Sequence, residues 1–155
     1  MKKWMFMITI LTTILLLAAC GNETENTQGD QGNNDKTSES ESASLQLLDD
    51  AEIGKYLADA EGMTLYYFTK DESGKSNCSG KCLDNWPPFI AKDFEVPEGF
   101  SKNDFATIER EDTGEKQVTY KGYPLYYFVK DQAKGDVKGQ GVKDVWYIVN
   151  AKTTF

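Results

Sequence analysis

Hydrophobic and polar positions divide the chain into three stretches of different texture. Trp4 to Leu17 is an uncharged, almost wholly apolar run of fourteen residues behind Lys2 and Lys3. Between Gly21 and Ser44 the only apolar side chain is Ala43. From Leu45 onward, short apolar and alternating runs are punctuated by glycines and polar clusters, the pattern of brief strands joined by turns. Phe105 to Arg110 reads as a strand, Glu111-Asp112-Thr113-Gly114 as a turn, and Lys116 to Tyr120 as a second strand. Lys121-Gly122 turns again, Pro124 to Val129 makes an aromatic third strand, and Val145 to Val149 closes the series.

The same series occurs earlier in the chain. Leu45–Leu48, Lys55–Asp59 and Met63–Thr69 read as strands, with turns near Gly54 and at Glu61-Gly62. Sliding the sequence against itself by sixty residues, without a gap, superposes Leu65-Tyr66-Tyr67-Phe68 on Leu125-Tyr126-Tyr127-Phe128. Lys70-Asp71 falls on Lys130-Asp131, Gly62 on Gly122, Gly54 on Gly114, Asp84 on Asp144 and Trp86 on Trp146. A repeat at one fixed spacing signals a duplicated unit. Two-residue turns want positive φ, which accounts for glycine at both 62 and 122. The copies part company at the cysteines and Trp86-Pro87-Pro88, where two prolines disqualify a central strand and leave a short helix or loop. The expected fold class is mainly β: two repeats of antiparallel β-meander, about 45–86 and 105–149, forming one small domain over 45–155 with seven or eight strands.

Charge and the missing residue types narrow the function. The net charge of −8 divides into +2 for residues 1–20, −5 for 21–44 and −5 for 45–155. An acidic surface repels phosphate backbones, which argues against nucleic acid as a partner. The chain has no histidine, which removes Ser-His-Asp and Cys-His nucleophilic sites, His-containing zinc or copper sites and His-ligated haem. No carboxylate pair stands out for acid–base work, so the expectation is a non-enzymatic protein without an assigned metal or cofactor.

The N-terminal stretch reads as an address. A basic start, an apolar run too short for the roughly 20 residues of a membrane span, and Leu17-Ala18-Ala19 before Cys20 describe a secretory signal over 1–19. A cysteine directly after Leu-Ala-Ala has the look of a bacterial lipobox, with lipidation at the Cys20 thiol. Two acyl chains suffice for stable attachment, so the expected location is the outer face of the bacterial cytoplasmic membrane. The segment that follows, to residue 44, carries six acids against one lysine and no aromatic or branched aliphatic residue, the composition of a disordered acidic tether. Its root-mean-square reach is about 25–30 Å.

Three sets of residues could carry chemistry. Cys78 and Cys82 remain once Cys20 carries lipid, an even number in an oxidising compartment. Their spacing allows Cα atoms about 6 Å apart, within disulfide range. A redox-active dithiol and a Cu(I) site are the alternatives to a structural disulfide. Tyr66, Phe68, Tyr126 and Phe128 lie on strands whose side chains alternate between faces, with Trp86 and Trp146 further along each copy. These aromatics either fill a small β core or leave a surface able to stack on a flavin, quinone, porphyrin or sugar. Asp71 and Asp131 each open a polar loop, and Asp71 to Asn77 has oxygen ligands for Ca²⁺ without the spacing of a recognised calcium loop. A carboxylate accepting backbone N–H bonds within its own turn is the simpler account.

Tyr66-x-Phe68-x-x-Asp71 and Tyr126-x-Phe128-x-x-Asp131 resemble the motif of a family of bacterial secreted-repeat lipoproteins. The resemblance runs through Gly74-Lys75-Ser76-Asn77-Cys78-Ser79-Gly80-Lys81-Cys82 to Trp86-Pro87-Pro88. It continues in Lys116 to Gly122 and in Gly139-Gln140-Gly141-Val142 to Trp146, covering nearly all of 53–150. It implies an exported repeat of unknown function. The company some members keep with cell-surface electron-transfer components is only an association. Two functions therefore stand side by side: a surface-anchored module binding a small molecule or an envelope protein, and a redox protein holding flavin, quinone or haem through its aromatic motifs.

Overall fold

The computed structural model describes residues 43–155. The signal over 1–19, Cys20 and all of the tether except Ala43 and Ser44 lie outside the described residues. Nine strands occur among them: β1 (Ala43–Ser44), β2 (Gln46–Asp50), β3 (Gly54–Ala58), β4 (Tyr66–Phe68), β5 (Phe94–Glu95), β6 (Phe105–Glu109), β7 (Lys116–Tyr120), β8 (Tyr123–Pro124) and β9 (Trp146–Ile148). The class is mainly β, as the alternating pattern implies. β2–β3 and β6–β7 are the antiparallel hairpins expected at the start of each copy, and β8 extends the second. Ala43 and Ser44, read from composition as tether, instead pair in parallel with Phe94 and Glu95. The cysteine loop holds a 3₁₀ turn, Gly80–Cys82, the short helix or loop foreseen there.

The aromatic third strands are shorter than the sequence suggests. Of Met63–Thr69, only Tyr66–Phe68 is regular strand, and it pairs antiparallel with Trp146–Ile148. Of Pro124–Val129, only Pro124 belongs to a strand, followed by single bridges at Tyr126. The prolines explain the difference. Tyr127 N–H donates to Pro87 O at 2.8 Å and Val129 N–H to Asn85 O at 3.0 Å. Pro87 and Pro88 have no N–H to return, so no ladder forms. Tyr147 and Ile148 occupy the matching places in the second copy, and there the ladder is complete.

Each motif strand therefore pairs with the closing segment of the other copy. Tyr66↔Ile148 on one side has its counterpart in Tyr126↔Pro88 on the other. Between them Tyr66 and Tyr126 exchange backbone bonds, N–H to O in both directions at 2.9 Å. This exchange defines an internal twofold relation between the repeats.

The gapless offset of sixty does not hold throughout. Leu57, Leu65 and Val149 close a ring of backbone bonds, repeated by Val118, Leu125 and Phe89. Leu65 and Leu125 are sixty apart in number, but Leu57 and Val118 are sixty-one apart. The turns cause the slip. Ala60, Glu61 and Gly62 lie between Asp59 and Met63, whose backbones bond at 3.0 Å, whereas only Lys121 and Gly122 join β7 to β8. Both Lys121 (φ 50) and Gly122 (φ 88) are left-handed, as a type I′ hairpin turn requires. A second slip in the loop after each motif puts Gly139, not Lys138, in the place of Cys78. Gly139 is there for want of room: a Cβ would lie 2.7 Å from the Tyr66 ring and 3.0 Å from Trp86.

Two hydrophobic clusters result, and both draw on both repeats. One joins Leu45, Leu57 and Leu65 to Phe94, Phe105, Val118, Leu125 and Val149. The other joins Tyr56, Tyr66, Cys78 and Trp86 to Tyr126, Phe128, Trp146 and Ile148. Neither half can satisfy its strand edges or cover its core alone. Separate fragments 45–100 and 101–155 are expected to show no cooperative thermal transition, and mixing them should restore one. A sharp melt from either fragment by itself would contradict this.

Candidate functional site

The twofold relation extends from backbone to side chains. Tyr66 Oη donates to Asp131 Oδ2 at 2.6 Å, and Tyr126 Oη donates to Asp71 Oδ2 at 2.7 Å. Each repeat lends its tyrosine to the aspartate of the other. The remaining carboxylate oxygens accept backbone N–H groups of the loops that follow, Asn77 onto Asp71 Oδ1 at 2.6 Å and Lys138 onto Asp131 Oδ1 at 2.9 Å. All four side chains are buried. Asp71 thus has both oxygens engaged within the protein, which is the turn-closing role and not that of a calcium ligand.

The two ends of this exchange are finished differently. Gly139 N–H donates to Tyr66 Oη at 3.2 Å, whereas Tyr126 Oη lies 2.7 Å from Ser76 Oγ. Arg110, its side chain 2% exposed and paired with Asp112, supports the second arrangement. Its guanidinium donates to Ser76 Oγ at 3.1 Å, Gln117 Oε1 at 2.5 Å and Cys78 O at 2.7 Å. A buried cation with this many acceptors anchors the cysteine loop to β7. Cys78 and Cys82 are joined in a disulfide with Cα atoms 5.4 Å apart, which disposes of the open dithiol and gives each sulfur the other as its partner.

The motif aromatics continue into a stack of four rings. Phe68 lies on Trp146 with centroids 4.3 Å apart, Trp146 on Trp86 at 3.8 Å, and Trp86 on Phe128 at 4.2 Å. Trp86 and Trp146 are inclined by only 2°, and Tyr66 and Tyr126 meet them edge-on. With Tyr66 and Tyr126 fully buried, the broad stacking surface considered from sequence is not on offer. The stack does reach a cleft of about 520 Å³, lined by its four rings together with Lys70, Lys81, Lys130, Lys143, Cys82, Asn85, Val142 and Val145. No acid lines it. A larger open depression bounded by Tyr67, Tyr147 and Lys55 includes Glu52 and Glu98, so its charges are mixed.

The family model described as a secreted repeat of unknown function matches twice, at residues 48–90 and 106–150. The chain belongs to this family of secreted repeats. No curated protein and no solved structure matches it. The family description places the repeats outside the cytoplasm, and no helix among the described residues is long and apolar enough to cross a membrane. In this secreted repeat the eight motif residues singled out from sequence fall into two groups. Tyr66, Tyr126, Asp71 and Asp131 form the sealed exchange, while Phe68, Trp86, Phe128 and Trp146 form the stack whose edges reach the cleft. The four lysines and Arg110 were not picked out from sequence. The recurrence of Lys70-Asp71 as Lys130-Asp131 is the one sequence signal that bears on them.

Burial pushes the Asp71 carboxyl up to about 6, against the opposing pull of the Asn77 and Tyr126 hydrogen bonds and the Arg110 charge. Burial raises Asp131 as well, with the bonds from Tyr66 and Lys138 opposing it. Tyr66 and Tyr126 are raised, first by burial and then by their carboxylate partners, and stay protonated donors. Because Asp71 rises from 3.8 unfolded to about 6 folded, the folded state keeps a proton that the unfolded chain releases. The resulting stabilisation is complete below the unfolded value and is lost as pH rises through about 6. The exposed Asp112 and the half-buried Asp136 are held low by Arg110 and Lys138, so their contributions fall away only in stronger acid. Thermal melts between pH 4.5 and 7 are therefore expected to give a midpoint that falls as pH rises, with a shallower fall in Asp71→Asn. An equal slope in wild type and variant would remove Asp71 from this account.

Proposed function

We propose that this secreted repeat is a lipid-anchored, non-catalytic binding module on the outer face of the bacterial cytoplasmic membrane, and that its lysine-lined cleft takes an anionic ligand. The observation that carries the reading is the gathering of four exposed lysines, from both repeats, around one cleft with no acid among the described residues that line it. Residues 45–155 carry a net −5, so such a local excess of positive charge runs against the trend of the surface. Clefts with low-dielectric walls and charges of one sign concentrate counter-ions. Binding fits better than catalysis because the titratable residues with raised carboxyl pKa, Asp71 and Asp131, are engaged in the buried exchange and do not line the cleft. Electron transfer remains a second reading on one observation, the unbroken four-ring stack that ends at the cleft.

Attachment rests on Leu17-Ala18-Ala19-Cys20 behind the apolar run. Metabolic labelling with a fatty-acid precursor is expected to tag the wild type, and Cys20→Ala should lose both the tag and the membrane fraction. A label that survives the substitution would exclude Cys20 as the acceptor. For the cleft, titration with pyrophosphate and with hexane-1,6-disulfonate at low ionic strength should show binding that weakens with salt. Lys70→Gln combined with Lys130→Gln should reduce it several-fold. Anion binding untouched by the double substitution, or absent altogether, would sink the anion-binding reading. Visible bands that respond to dithionite in protein taken from its own host would favour electron transfer instead.

A further inference from the structure

We propose that the ligand of this cleft is a flat aromatic dianion, its conjugated body against the ring stack and its two anionic groups on lysines of opposite repeats. The inference rests on the binding reading above and narrows its ligand class.

The lysines come in two related pairs. Lys70 and Lys130 each follow a motif strand, immediately before the aspartate. Lys81 and Lys143 each sit in a 3₁₀ turn ahead of a tryptophan, Gly80–Cys82 before Trp86 and Val142–Asp144 before Trp146. The twofold relation that exchanges Trp86 with Trp146 also exchanges Lys70 with Lys130, whereas Lys81 and Lys143 line the same cleft from non-equivalent positions, five and three residues ahead of their tryptophans. Positive charge is therefore duplicated across the ring stack, and a ligand with a single anionic group can serve one side only. All four side chains are exposed, and no carboxylate in the described residues pairs with any of them. Lys ammonium groups act as point charges, so they accept carboxylate, sulfonate or phosphate without demanding a planar fork.

The floor selects the body of the ligand. Phe68, Trp86, Phe128 and Trp146 line a space of about 520 Å³, the size of pocket that holds a small organic molecule. Trp86 and Trp146 are only 5% and 3% exposed, so what the cleft reaches of them is a margin of each indole. Lys143 is held at φ 54, left-handed and unfavourable for a lysine, with Asp144 beside it at φ 56. Backbone strain of this kind concentrates where a fold commits a side chain to a site.

The test uses the full chain purified in detergent and titrated calorimetrically, with quenching of tryptophan emission as a second readout. Anthraquinone-2,6-disulfonate is expected to bind at least ten-fold more tightly than anthraquinone-2-sulfonate, which has the rings but one charge. It should also bind at least ten-fold more tightly than hexane-1,6-disulfonate, which has two charges but no rings. Lys70→Gln and Lys130→Gln should each bring the dianion close to the affinity of the monosulfonate, with unchanged melting temperature because both side chains are exposed. Equal affinity for the aliphatic and aromatic disulfonates would overturn the planar requirement while leaving an anion site in place. Equal affinity for the mono- and disulfonates would overturn the two-sided arrangement. Failure of every anion to bind in a lysine-dependent way would overturn both this proposal and the binding reading beneath it.

Discussion

The hydrogen bonds from Tyr66 to Asp131 and from Tyr126 to Asp71 are the constraint on which the rest of the molecule turns. A buried carboxylate without donors is costly, and a buried tyrosine hydroxyl without an acceptor only somewhat less so. The chain meets both requirements by crossing them between repeats. Once crossed, they fix where the two motif strands lie, with Tyr66 and Tyr126 face to face through their backbones at 2.9 Å. That contact brings Trp86 alongside Trp146 and lays Phe68 and Phe128 on the outside of the pair. The cleft is what this stack leaves open at its edge, and its lysines follow from the same crossing.

Departures from exact repetition are concentrated where they change chemistry. One half closes its tyrosine with the Gly139 N–H, and a larger residue there would strike the Tyr66 ring. The other half uses Ser76, the Arg110 guanidinium and a disulfide-bonded loop. Pro87 and Pro88 remove a ladder on one side that Tyr147 and Ile148 complete on the other. The cleft therefore has walls of unlike stiffness, one pinned by Cys78–Cys82 and the other held by a strained lysine in a short 3₁₀ turn.

Much of the architecture could be read from local pattern. Alternation, glycine-bearing turns and the sixty-residue spacing carry the hairpins β2–β3 and β6–β7, and the cysteine spacing carries the disulfide. What could not be read is whether Tyr66 answers Asp71 or Asp131. Both aspartates recur at the same distance from a tyrosine, so a repeat pattern shows equivalence of role without showing which copy supplies the partner. The shortened third strands were hidden for a related reason. Aromatic alternation marks a segment able to be a strand, but the ladder also depends on the N–H groups of a neighbour distant in sequence, here two prolines. The cleft was the least legible feature, because Lys70, Lys81, Lys130 and Lys143 gather only through the twofold relation, and exposed lysines are ordinary on any surface.

The crossing has a meaning for how such a chain came to exist. A polypeptide with one repeat in this conformation would lack the crossed partners of its tyrosine and aspartate, and a pair of identical molecules could supply them by exchange. Joining two copies in tandem turns that concentration-dependent encounter into an internal one, with the intervening segment setting the effective concentration. The joined form is then free to let its halves diverge, since a serine in one and a glycine in the other no longer have to suit a self-complementary dimer. In this secreted repeat the Cys78–Cys82 disulfide has no counterpart in the second half, a specialisation open to a fused chain and closed to a symmetric pair.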